Sequence, residues 1–294
     1  MQRYFASLPQ SSRAVVWIIV SSSAFATMWV LIRYASREMH AFEIVFFRNI
    51  FGTLALVPML LGSPGLLKTS RMGVHLRRGL SGFVATVATF YAVAHAPLAT
   101  ALSINYTAPL FTTLGAVLFL GERIRARRVV ALGAGFMGML MVLRPGVMPM
   151  TAGVSAAMVS AVFTAVSLVT VRSLVGTEDS RAVAAWSFIL ITPPSLVLAA
   201  FVWTWPSALG WLIAVMIGGA AAVGQLGMAR AFQLAEASAV LPYDFVRFGM
   251  ISAAGILLFG ERLDGWTLAG GAVILGSSIY IAVREAQLAR SGRA

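Results

Sequence analysis

The stretch FLGERIRARR at 119–128 returns, altered, as LFGERLDGWT at 258–267. The two Gly-Glu-Arg tripeptides start 139 positions apart, close to half of the 294 residues. Gly121-Glu122-Arg123 and Gly260-Glu261-Arg262 each follow a long apolar run and precede a glycine-bearing one. Gly133 then matches Gly271, and Gly138 matches Gly276, once one residue is dropped from the loop. Upstream, Leu102 falls on Leu241, Asn105 on Asp244 and Tyr106 on Phe245, while Phe25 falls near Phe163. The chain reads as two copies of one unit, at 1–147 and 148–294. The first tripeptide is crowded by arginines and the second is nearly alone.

Composition sets the medium. The chain is 59% hydrophobic and 11% charged, against roughly 25% charged in a soluble domain. It has no cysteine, so disulfides, thiol nucleophiles and thiolate metal sites are excluded. His40, His75 and His95 are too scattered for a local ligand motif, and no cofactor is implied. A net charge of +12 can signal nucleic acid, but in so apolar a chain it fits cytoplasmic loops beside a bilayer. The reading is an all-α integral membrane protein in contact with lipid, without a nucleic-acid partner.

A spanning helix needs about 20 mostly apolar residues. Ten stretches approach that, at 14–32, 41–61, 79–95, 98–120, 129–143, 151–171, 182–203, 207–229, 237–259 and 266–283. Ala24-Phe25-Ala26 resembles a signal-peptide cleavage site, yet the 19-residue apolar run is long for one, so the first span is expected to stay. With the N-terminus inside, cytoplasmic segments hold 16 arginines and lysines and external ones hold four, Arg33, Arg37, Arg144 and Arg262. Both termini are therefore expected in the cytoplasm. Each unit has five spans, an odd number, so the second is inserted upside down. That inversion accounts for the arginines: the first tripeptide lies on the inside and the second on the outside. Inverted repeats of this kind characterise secondary transporters, with the substrate near the midplane between halves.

The tripeptide itself reads as structural. Gly121 and Gly260 suit a left-handed helix end, and Glu122 and Glu261 suit the start of the next helix, where its dipole favours negative charge.

Ten spans, two inverted halves and Gly-Glu-Arg after the fourth and ninth helices resemble the EamA-type drug/metabolite transporter superfamily, and within it the bacterial YddG-type amino acid exporters. The resemblance covers about 14–283. It implies an inner-membrane carrier with a central cavity lined by the first, third, fourth, sixth, eighth and ninth helices, braced by the fifth and tenth. Members carry diverse small molecules, so it does not name a substrate.

Ionisable groups inside spans are costly and mark pathways or paired sites. Asp244 and Arg247, in LPYDFVRFG, are three residues apart on the ninth span. They either neutralise each other or contact substrate, and the sequence leaves both open. Arg48 in the second span is about 10 Å from its helix end and is expected to snorkel. Asn105, the mate of Asp244, gives both copies a polar residue at one place, with Pro109 and Pro242 nearby to break the helices. Aromatics surround these positions. The candidate substrate-binding set is Tyr91, Asn105, Tyr106, Tyr243, Asp244 and Arg247. His95 and the tryptophans Trp203 and Trp205 read as interface residues.

The expectation is a secondary carrier that exports amino acids, aromatic ones among them, or related small metabolites by alternating access. Asp244 and Arg247 would hold the two ends of a zwitterion. The alternative is a proton-coupled exporter of organic cations. No serine–histidine–carboxylate or metal set supports an enzyme, and isolated polar positions in inverted halves fit a carrier better than a channel. A monomer suffices for this architecture.

Overall fold

A computed structural model describes residues 10–290 apart from 64, 121–125, 146–148, 176–177, 236–240 and 263. All regular structure among the described residues is helical, with no strand. The helices are α1 (Gln10–Ala35), α2 (Ala41–Leu61), α3 (Met72–His95), α4a (Leu98–Asn105), α4b (Ala108–Leu120), α5 (Ala126–Leu143), α6 (Ala152–Val175), α7 (Ser180–Ala200), α8 (Ala208–Leu234), α9 (Phe245–Phe259) and α10 (Gly265–Arg290). Five of them, within α1, α2, α6, α7 and α8, are long and apolar enough to cross a membrane. Shorter apolar helices at Val129–Leu143, Val246–Phe259 and Gly265–Ile281 accompany them. Helices are the form such apolar segments must take, because lipid offers backbone N–H and C=O groups no partner.

Three spans depart from the sequence expectation. α3 begins at Met72, not 79, because the helix carries His75, Arg77 and Arg78 in its first two turns. The fourth span is broken in two. Tyr106 and Thr107 interrupt it, and Pro109 stands in the first turn of α4b, where its missing N–H does no harm. The ninth span opens with a 3-10 turn, Leu241–Asp244, that passes into α9 at Phe245. Asp244 therefore sits in the turn before the helix and Arg247 in its first turn. The tripeptide at 121–123 lies outside the described residues. In the second copy Gly260 ends α9 at φ 63°, in the left-handed conformation expected of it.

α1 packs on α8 and α3 on α6; α2 packs on α7 and α8, and α3 also on α7. α9 lies against α1, α4a and α4b lie against α6, and α5 pairs with α10. The last pair is held by backbone contact: a Cβ on Gly138 would fall 2.8 Å from the Gly270 carbonyl oxygen, and one on Gly270 2.6 Å from that of Gly138. Gly133 and Gly276, on the same two helices, instead face open space. Arg48 does not snorkel. It is buried, its Nη1 donates to Asn49 Oδ1 at 2.7 Å, and its guanidinium lies 4.6 Å from the centre of the Phe188 ring on α7. Gly52, one turn on, leaves the space that ring fills.

Candidate functional site

The break in the fourth span and the turn before α9 bring Tyr106 and Asp244 together. Tyr106 is the cap residue just after α4a, and Ser278 Oγ of α10 donates to its carbonyl at 3.2 Å. The Tyr106 hydroxyl reaches Asp244 Oδ2 at 3.1 Å and the Asp244 carbonyl at 3.2 Å. It also accepts from Arg247 Nε at 3.1 Å. Arg247 Nη2 closes the triangle on Asp244 Oδ2 at 2.8 Å. Asp244 occupies the cap position of α9 yet makes no capping bond, because its carboxylate is committed elsewhere. Its other oxygen, Oδ1, accepts from Ser22 Oγ of α1 at 2.6 Å. Asp244 and Tyr106 are buried, at 7% and 9% exposure. The Arg247 guanidinium lies over Tyr106, 4.9 Å from its ring centre, and 5.9 Å from that of Phe25.

Three elements thus meet on one carboxylate: α1 through Ser22, the fourth span through Tyr106, and the ninth through Asp244 and Arg247. Buried charges require this kind of pairing, since an isolated one costs several kcal/mol. The pair is electrically neutral as a unit. Arg247 commits Nε to Tyr106 and Nη2 to Asp244, and its side chain stays 14% exposed.

The six expected residues do not form one cluster. Tyr106, Asp244 and Arg247 come together. Asn105, the neighbour of Tyr106, turns the other way: its Nδ2 donates to Ser160 Oγ on α6 at 3.2 Å, and Ser160 Oγ lies 2.5 Å from Thr89 Oγ1 on α3. Tyr91 stacks on His95, ring centres 4.1 Å apart, beyond the bonds of the Asp244 network. Tyr243 is 43% exposed and takes no part in that network. Ser22 escaped the sequence reading because it stands in a run of three serines, and a serine in a helix ordinarily bonds back to its own backbone. The alignment of Phe25 with Phe163 holds the missing signal: at that spacing Ser22 falls on Ser160, and both serines bond the polar residue of a broken helix.

A second ionic cluster joins α1, α3 and α4a to the segment after α9. Glu261 was expected to favour the start of its own next helix. Instead Oε2 accepts from the backbone N–H of Leu98, the first residue of α4a, at 2.8 Å. Oε1 accepts from Arg33 Nη2 of α1 at 2.8 Å. Arg33 Nη1 donates to the carbonyls of Val93 and Ala94 at the end of α3, both at 2.7 Å. Arg144, just after α5, pairs with Asp264, just before α10, at 2.6 Å. At other loops, Glu178 holds His75 Nε2 at 2.5 Å and Thr69, and Glu43 holds the backbone of Thr204 at 2.7 Å. Among the described residues no group of acidic and histidine side chains is arranged to hold a metal ion.

Comparison with known proteins agrees with this architecture. The EamA-like transporter family profile matches residues 12–144. The S-adenosylmethionine uptake transporter of Rickettsia felis is 28% identical over 270 residues, 92% of each chain. The pseudopaline exporter CntI of Pseudomonas aeruginosa is 32% identical over 274 residues, 91% of this chain and 95% of that one. The riboflavin transporter of Vibrio cholerae is 27% identical over 287 residues, 96% of each. A crystal structure superposes with a TM-score of 0.61 at 22% identity, covering 93% of this chain and 98% of the other, a likeness of fold. The chain is a multi-pass membrane protein and belongs to the EamA-like transporter family.

Proposed function

We propose that the protein is a secondary carrier built from two inverted five-helix repeats, 1–147 and 148–294, that exports amino acids or related small metabolites across the bacterial inner membrane. The observation that carries this reading is an exchange symmetry in the packing. Numbering the spans one to ten, the contact of the first with the eighth is matched by that of the sixth with the third. The ninth against the first is matched by the fourth against the sixth, and the pairs two–seven and five–ten map onto themselves. The polar contacts follow the same rule: Ser22 bonds Asp244, and their repeat mates Ser160 and Asn105 bond each other. Two halves of one fold in opposite orientation have two arrangements of similar energy, each half adopting the other's shape in turn.

The sidedness drawn from the arginines is supported by the ion pairs. Arg33 with Glu261, Arg144 with Asp264, and His75 with Glu178 each join segments assigned to one side of the membrane. Both termini then lie in the cytoplasm and the Glu261 end lies outside.

The Tyr106–Asp244–Arg247 cluster is the substrate site in this reading. Its relatives carry names that include S-adenosylmethionine, pseudopaline and riboflavin, so the fold tolerates varied cargo. A paired Asp244 and Arg247 suits a zwitterion, which presents one charge to each, better than a bare organic cation, because Asp244 is already neutralised. Efflux of radiolabelled amino acids from proteoliposomes tests it. Wild-type flux should saturate and Arg247→Gln should abolish it; equal flux through the variant would remove Arg247 from the path. Efflux of ethidium in place of amino acids would favour the cation exporter.

A further inference from the structure

We propose that Glu261 is a positioning residue for transport. Its single carboxylate ties α1, α3 and α4a to the end of α9, and so couples the closed packing of these helix ends to assembly of the Ser22–Asp244–Tyr106 network. The inference rests on the carrier reading for its consequence, not for its geometry. Glu261 divides its oxygens between two elements, Oε1 on Arg33 and Oε2 on the Leu98 N–H. Arg33 extends the tie to α3 through the Val93 and Ala94 carbonyls. Gly255, one helical turn before the end of α9, has no side chain where the carboxylate folds back; a Cβ there would lie 2.8 Å from Oε2. Phe259, the last residue of α9, packs on Tyr34 with ring centres 4.9 Å apart, and the Arg33 and Arg37 guanidinium groups each lie 5.9 Å from its ring.

The same two elements carry the site. Arg33 lies eleven residues from Ser22 on α1, about 16 Å at helical rise, and Ser22, Ala26, Trp29 and Arg33 share one face. Leu98 opens the eight-residue helix whose other end delivers Tyr106. That helix is separated from α4b by the break at Tyr106 and Thr107, so in this proposal it shifts as a short rod. Displacing its Leu98 end displaces Tyr106. Release of Glu261 therefore parts these helix ends and loosens two of the three donors on Asp244 together.

The test needs no substrate. Ala26→Cys places one thiol on the face of α1 between Arg33 and Ser22, where Ala26 is buried, in a chain with no other cysteine. Ala41→Cys, buried at the start of α2 and free of the tie, reports general loosening. Intact cells are treated with the membrane-impermeant reagent MTSET from outside. Both thiols should be protected in the otherwise native chain. Glu261→Gln should speed labelling at Ala26→Cys about tenfold, which corresponds to about 1.4 kcal/mol of lost bias toward closure, and leave Ala41→Cys protected. Arg33→Gln should do the same, and replaces Glu261→Gln if that variant fails to insert. Rapid labelling of Ala26→Cys before any change at Glu261, no acceleration, or equal acceleration at Ala41→Cys would each overturn the proposal. Because transport is not measured, a failure here is separable from a failure of the carrier reading.

Discussion

Asp244→Asn is the substitution that separates the two roles open to the ion pair. In the native protein one carboxylate oxygen faces Ser22 at 2.6 Å and the other faces Tyr106 and Arg247 at 3.1 and 2.8 Å. An asparagine can keep its carbonyl toward Tyr106 and Arg247 and turn its amide to Ser22, whose hydroxyl rotates to accept. Hydrogen bonds survive; the negative charge does not. Arg247, with 14% of its side chain exposed, is left buried without an anion, a change that costs about 3–5 kcal/mol for buried pairs. The residual exposure favours the lower figure. About 3 kcal/mol corresponds to a fall in Tm of roughly 6–12 °C, readable from the tryptophan fluorescence of purified protein in detergent. Removing both charges, in Asp244→Asn with Arg247→Met, should recover most of that loss, since neutral replacements of buried pairs are tolerated. Transport then decides the role. A pair that only neutralises itself gives a double variant that transports; a substrate site gives one that folds and does not. If Asp244→Asn alone keeps its Tm within about 1 °C, or the double variant is less stable than either single one, the electrostatic reasoning is wrong.

Three further outcomes follow from the packing. Asp264→Cys should react with an impermeant thiol reagent outside the cell while the exposed Lys68, replaced by cysteine, is protected; the reverse pattern would invert the assigned topology. Gly138→Leu should destabilise by about 1–3 kcal/mol or more, because its Cβ meets the Gly270 backbone, whereas Gly133→Ala, facing open space, should be neutral or gain up to about 1 kcal/mol of helix propensity; equal Tm values for the two would refute the assigned contact. Burial raises the Glu178 carboxyl, but hydrogen bonds from Thr69 and His75 outweigh it and hold the group below its ordinary value. Its contribution is therefore present above the unfolded carboxylate pKa and lost as pH falls through the lower folded value, so Tm measured from pH 6 down to about 3 should decline in the native chain and less steeply in Glu178→Gln; parallel curves would rule this out.

The helical, membrane-spanning character was legible because apolar length carries it directly, and the proposed repeat, suggested by the two Gly-Glu-Arg tripeptides, is in keeping with the packing of α1 on α8 and α3 on α6. The candidate site was legible only in part. Asp244 and Arg247 stand out because charge in an apolar run is conspicuous, and Pro109 hinted at the break beside Tyr106. Asn105 and Tyr106 are adjacent in sequence, yet the break turns them to different partners, a matter of local geometry that composition does not record. Ser22 and Glu261 were missed for a shared reason. Their partners lie 222 and 163 residues away, so local rules assigned them local roles, a packed serine and a helix-start acid. Arg48 shows the opposite error: distance to the helix end suggested snorkelling, but the space left by Gly52 lets Phe188 and the guanidinium pack together.

A carrier of this kind has one saturable site exposed alternately to the two sides of the membrane, and counterflow measures that most directly. Proteoliposomes preloaded with an unlabelled amino acid, then diluted into trace label of the same compound, should accumulate label transiently above equilibrium, with a rate that saturates and with the overshoot lost in Arg247→Gln. Flux that rises linearly with concentration and shows no overshoot, for every amino acid tried, would contradict an amino acid carrier of this design.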